Sequence, residues 1–232
     1  MMLMIFASTA AFNIAPLRMA RPSRVGRIAA VTDELEGDEA ALYAFGTNIG
    51  RQLSDLKVFS SKDLDTVLLG VKDIVTQTEP KCDVRTYLPN GLAMFQAKEE
   101  QAKARTAEAG STALEAAAAE AGAVKTESGL VFLEVTAGEG ESPSPSDQVK
   151  VHYEGRLLDG SVFDSSYKRG EPLEFALSGV IKGWVEGLQL MKAGSKAKLT
   201  IPSDLAYGEA GTGPIPPAAT LVFDIELLAI NP

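Results

Sequence analysis

At about residue 126 the spacing of apolar side chains changes, and this limits the possible folds more than any other feature of the chain. Before that point apolar residues recur every three or four positions, the period of a helix. Beyond it they alternate or run in short β-branched stretches such as "GLVFLEV" and "DQVKVHYEGRL", broken by "GEGESPSPS". Strand signals return at "SVFDSS", "PLEFAL", "SKAKLTIP" and "ATLVFDIELLAI", with one short helical stretch between them at about 182–191. The expected class is therefore α+β: an all-α N-terminal hairpin, a long connecting helix, then a mostly antiparallel sheet wrapped around a short helix.

On the helical side, Leu42, Phe45, Ile49, Leu53 and Leu56 form one stripe. Ser60 and Ser61 can cap a second helix, whose stripe is Leu64, Leu68, Val71 and Val75. The connection is short, so a hairpin is expected. Two helices cannot bury both stripes alone, and the expected cover is a second copy of the chain, giving a homodimer through the N-terminal helices. Residues 92–123 are rich in Ala, Glu, Lys and Gln, with few large apolar side chains. That composition predicts a solvated, semi-rigid arm starting near Pro89 and Asn90, with Gly110 and Gly122 as weak points or ends. Its mixed charges argue against a recognition helix.

Residues 1–32 carry Arg18, Arg21, Arg24 and Arg27 and no acid. They follow a short apolar run that ends in "ASTAA" before Phe12. This reads as a targeting presequence and resembles the two-part presequence of algae with complex plastids. A mitochondrial or secretory address and an unaddressed disordered terminus are the alternatives. The expected domains are thus 1–32, presequence; 33–89, helical dimerisation; 90–125, connecting helix; and 126–232, the sheet domain.

Charge narrows the partners. The formal net charge is −9, and without the four leader arginines the remainder has 18 basic against 31 acidic residues, or −13. So acidic a body repels nucleic acid and anionic membrane surfaces, and no apolar run reaches the length of a membrane span. One cysteine, Cys82, excludes an intramolecular disulfide, and with a single histidine, His152, it argues against a zinc site. No metal or cofactor is expected.

The lone tryptophan lies in "VIKGWVEG", between Gly183 and Gly187. Four blocks surround or follow it in order: "VHYEGRLLDGSVFDSSYKRGEPLEF", "GVIKGWVEGLQLMKAGSKAKLTIP", "LAYGEAG" and "IPPAATLVFDIELL". Together they resemble the FKBP-type peptidyl-prolyl cis-trans isomerases over nearly all of 126–232. With "YAFGTNIGRQL" and "LLGVKD" upstream, the chain resembles the dimeric macrophage infectivity potentiator-like subgroup. The resemblance implies a five- or six-stranded antiparallel sheet curled around a helix, with a ligand groove between them. It places Tyr153, Phe163, Trp184, Tyr207 and Phe223 as the rings of that groove, with Trp184 as its floor. Val180 and Ile181 would line the mouth, Ile181 offering a backbone N–H, and Ile215 would belong to the covering loop. Asp164 maps to the pocket carboxylate, and Tyr207 would donate its hydroxyl to the substrate carbonyl. A structural role for Asp164, accepting from Tyr153 and pairing with Arg169, is compatible with that. Strand parity points His152 away from the groove. Leu173 stands where some relatives carry an aromatic, and the loop "GEAGTGPIPP" lacks a histidine at its tip; both bear on substrate preference and on affinity for macrolides, a further ligand class the resemblance implies.

The implied function is isomerisation of X–Pro bonds in folding client proteins. The alternative is a dimeric chaperone or proline-peptide-binding module with secondary catalysis. The partners on either reading are unfolded or proline-containing clients.

Overall fold

The computed structural model describes residues 35–232, so the targeting segment read at 1–32 lies outside the described residues. Residues up to 54 and residues 55–232 are two separate compact units.

In the first unit, helix α1 spans Gly37–Gln52. Asp38 and Glu39 occupy its first turn and Arg51 its last, each favourably placed against the helix dipole. Among the described residues its apolar stripe is uncovered: Leu42 is 70% and Phe45 64% exposed.

The second unit begins with helix α2, Ser61–Val75, capped as expected by Ser60, whose hydroxyl accepts from the Asp63 N–H at 3.2 Å. Helix α3 runs Val84–Ala118, 35 residues and about 52 Å. It starts five residues before Pro89, the expected start, behind the stronger cap of Asp83, whose carboxylate accepts from Arg85 N–H and Thr86 Oγ1. The Phe59 and Phe95 rings stack at 5.8 Å, and the Lys98–Asp63 pair at 3.4 Å joins α2 to α3. The distal half of α3 is more than a solvated arm. Gly110 is buried against Thr220, and Lys103 and Glu120 reach Glu209 and Lys198 of the sheet domain.

The sheet has seven strands, all antiparallel, where the resemblance implied five or six. They are β1 Ala123–Lys125, β2 Val131–Thr136, β3 Gln148–Arg156, β4 Val162–Ser165, β5 Leu173–Ala176, β6 Lys196–Ile201 and β7 Leu221–Ile230. The order is β1-β2-β6-β7-β3-β4, with β5 also pairing β3. The count rises because the short β1 joins one edge and β4 and β5 share the other. Burial alternates cleanly along β3 and β7, so Val149, Val151 and Tyr153 face the same core as Phe223, Ile225 and Leu227. Short helix α4, Ser166–Arg169, follows β4.

Helix α5, Lys182–Gln189, packs on the core face of the sheet. Gly183 and Gly187 lie one turn apart on its sheet-facing side. A Cβ on Gly183 would come 2.4 Å from Ile201 Cγ2, and one on Gly187 2.4 Å from Leu199 Cδ1. Only hydrogen side chains let the helix backbone come this close to β6. The paired glycines around Trp184 thus serve the close seating of α5 on β6.

Candidate active site

The close seating of α5 lowers Trp184 into the sheet, where it is 5% exposed. Tyr153, inward on β3, presents its ring edge to the indole at 5.0 Å and 86°. Phe223, inward on β7, stands edge-on to the indole at 5.2 Å and to Phe163 at 5.5 Å. Edge-to-face packing is the favoured geometry for such rings and holds each in place. The result is a cavity of about 330 Å³ lined by Tyr153, Phe163, Asp164, Val180, Ile181, Trp184, Tyr207 and Phe223, together with Leu173 and Gly179.

All but one of the residues named from sequence therefore gather here. The exception is Ile215. It is 6% exposed within the hydrophobic core and is held in the loop by backbone bonds with Thr212, so it supports the covering loop from beneath without lining the cavity. Two contributors escaped the sequence. Phe175 of β5 lies 5.4 Å behind the indole, and its shared strand parity with Leu173 was the available signal. Gly155 of β3 is the other: a Cβ there would meet Phe163 and Phe223 at 2.7 Å, so its bareness lets the two rings touch. Only strand register reveals this, since Gly155 pairs with Asp164 on one side and Phe223 on the other.

The polar side of the cavity is a three-membered network. The Tyr153 hydroxyl donates to Asp164, Arg169 of α4 pairs with the same carboxylate, and Arg169 Nη2 donates to the Tyr153 oxygen at 2.9 Å. The guanidinium also lies over the Tyr153 ring at 5.5 Å. Partial burial pushes the Asp164 carboxyl up, but the Tyr153 hydroxyl and the Arg169 guanidinium outweigh it and hold the group below its ordinary value. Burial, then the neighbouring Asp164, pushes the Tyr153 phenol up against the opposing pull of Arg169. The site thus keeps an ionised carboxylate beside a protonated phenol. No step of proton transfer is needed to maintain it.

Two further polar features stand at the floor and mouth. The buried Trp184 Nε1 has no hydrogen-bond partner among the described residues. The Ile181 carbonyl opens α5 by accepting from Trp184 and Val185, which places its residue at the helix start. Tyr207 is 39% exposed at the rim. His152 points the other way, stacked on Tyr167 at 4.7 Å with Nδ1 3.0 Å from Ser166 Oγ. Cys82 is exposed on the α2–α3 connection, far along the chain from the cavity residues.

The chain is also similar to known proteins. Residues 139–228 match the family described as FKBP-type peptidyl-prolyl cis-trans isomerase, and residues 38–133 match the domain amino terminal to FKBP-type peptidyl-prolyl isomerase. The chain is 41% identical over 206 residues to the FKBP-type peptidyl-prolyl cis-trans isomerase FkpA of Escherichia coli, covering 84% of this chain and 76% of that one. It is 52% identical over 120 residues to the macrophage infectivity potentiator of Trypanosoma cruzi, covering 51% of this chain and 61% of the other. The crystal structure of FkpA from Escherichia coli superposes with a TM-score of 0.63 at 42% identity, over 85% of this chain and 98% of that structure.

Proposed function

The chain belongs to the FKBP-type peptidyl-prolyl cis-trans isomerase family, and we propose that its ring-lined cavity is where an X–Pro amide is held while it twists. The protein is a peptidyl-prolyl cis-trans isomerase. Rotation about such a bond is slow because it breaks amide resonance, at a cost of about 18–20 kcal/mol. A catalyst must bind the twisted amide better than the planar one. The twisted amide is less polarised, so apolar walls disfavour the planar ground state relative to the transition state. A differential of about 4 kcal/mol would give roughly a thousandfold acceleration.

Each residue then has a task. Trp184, Tyr153, Phe163 and Phe223 grip the proline ring, which has no N–H to satisfy. Val180 and Ile181 hold the chain at the mouth, Ile181 through its N–H. Tyr207 donates to the substrate carbonyl, and Asp164 acts on the carbonyl region electrostatically. The observation that carries this is the convergence of five rings and Asp164 on one cavity. Exchange between the cis and trans forms of a short X–Pro peptide, followed by NMR, tests it. The wild-type chain should speed exchange, and Trp184→Ala should return it close to the uncatalysed rate; undiminished exchange with Trp184→Ala would refute the assignment.

The client is an unfolded or proline-containing polypeptide. A holding role through the helical region is a second reading, favoured by the uncovered apolar side chains Leu42, Phe45, Leu68 and Val71. The same side chains support a homodimer through the N-terminal helices, in which two pockets would act on one client with avidity. The cavity volume also suits a macrolide-sized ring inserting one end. A plastid address for the chain rests on the arginine-rich residues 1–32. Among the described residues no helix is long and apolar enough to cross a membrane.

A further inference from the structure

The loop that carries Tyr207 over the cavity is tied at its neck. Gly208 N–H donates to Ser203 O at 2.8 Å, and Ala218 N–H donates to Gly208 O at 3.0 Å. Tyr207, which lines the cavity, sits immediately before this tie. Helix α3 touches the loop on both sides of it. Lys103 Nζ pairs with Glu209 at 2.5 Å, one residue beyond Gly208. Gly110 packs on Thr220, two residues beyond Ala218, so closely that a Cβ would lie 2.4 Å from Thr220 Oγ1. Lys103, Thr106 and Gly110 fall at i, i+3 and i+7, one face of the helix. Between the two contacts lies a crevice of about 430 Å³ walled by Arg105, Thr106 and Ala109 of α3 and by Pro216, Ala219 and Thr220 of the loop. Packing between Lys103 and Gly110 is thus loose, and the helix grips the loop at two points.

We propose that Lys103 and Gly110 are positioning residues for isomerisation: through Glu209 and Thr220 they hold the neck of the 208–218 loop and so fix Tyr207 over the cavity. The proposal rests on the assignment of Tyr207 to the substrate site. Helix α3 is then the element through which the state of helix α2, joined to it by the Lys98–Asp63 pair, reaches the pocket. Anything that bends or lifts α3, a bound client or a partner copy included, would loosen the rim of the cavity and leave its aromatic floor intact.

The glycine supplies a clean test. Gly110→Ala strengthens the helix itself, since alanine is the better helix former, so any loss must come from its docking. In the full chain, amide exchange across 208–218, read by mass spectrometry, should rise about threefold to tenfold in Gly110→Ala. KM for a proline peptide should rise by a similar factor, with kcat changed less than about twofold. Adding Thr220→Ala removes the clashing hydroxyl and should restore both readouts. Lys103→Glu should move both in the same direction by about twofold, and the swap Lys103→Glu with Glu209→Lys should restore them. Should Gly110→Ala fail to fold, the surface charge pair decides alone. Wild-type exchange and KM in both single variants would overturn the proposal, as would double variants no better than the singles. The exchange readout does not depend on catalysis, so a failure of the Tyr207 assignment would show separately, as altered loop exchange without altered KM.

Discussion

The Tyr153 ring stands edge-on to the Trp184 indole, with 5.0 Å between centroids and 86° between planes. One ring comes from strand β3 and the other from helix α5, so their contact measures how the helix is seated on the sheet. The site therefore depends on packing that begins with glycines.

Gly187→Ala is the first consequence. Its Cβ would meet Leu199 at 2.4 Å, and a buried leucine has little room to withdraw. Overpacking of this kind should destabilise the chain by about 1–3 kcal/mol. Because Trp184 is the only tryptophan, its emission should shift as α5 lifts. Unchanged stability and emission would mean that the helix has slack.

Tyr153→Phe removes the hydroxyl shared by Asp164 and Arg169 while keeping the ring. A stability loss of about 1–2 kcal/mol is expected from urea titration, since the lost bond is to charged groups. Arg169 should keep its pairing with Asp164, so the pocket rings stay in place and tryptophan emission changes little.

Asp164 sets a pH dependence whose sign follows from its lowered folded-state pKa. Folding favours the ionised form, so the contribution is complete above the unfolded value of about 3.9 and is lost as pH falls through the lower folded value. The stability difference between wild type and Asp164→Asn should therefore be flat above about pH 5 and shrink below about pH 4. The carboxylate is 43% exposed, which limits the effect to about 1 kcal/mol. Denaturant titrations across that range would read it; a difference that grew on acidification would contradict the assignment.

The N-terminal helices carry their own test. Phe45→Glu places a charge on the uncovered stripe of α1. Sedimentation equilibrium should show a dimer for the wild-type chain and a monomer for the variant. A wild-type monomer at micromolar concentration would remove the dimer.

The sequence showed the chemistry of the site more fully than its mechanics. Asp164 beside Phe163, and Trp184 between two glycines, were legible through the resemblance of their sequence blocks to the family. The Ser60 cap was legible from the residues alone, because capping is local. Gly155 was not, because its role is to admit two rings from other strands, and register is a non-local property. In the sequence Gly110 has the look of a weak point in a solvated helix. A glycine that permits a hinge and one that permits close approach look alike until the opposing residue, here Thr220, is known. Pro89 suits a helix start in the sequence because proline is tolerated there. Asp83 overrides it with a side-chain cap six residues earlier. Ile215 belongs to the covering loop, as the resemblance implies, but the turn closed by Thr212 folds its side chain into the core and away from the cavity lining.

The most direct measurement is refolding of a proline-limited substrate protein in the presence of the wild-type chain and of Trp184→Ala and Asp164→Ala. An uncatalysed proline phase takes on the order of 10–100 s. The wild-type chain should shorten it at substoichiometric concentration, and both variants should lose most of that acceleration while remaining folded. Equal acceleration by all three proteins would contradict the claim that this ring-lined cavity, with its carboxylate, is where the prolyl amide turns.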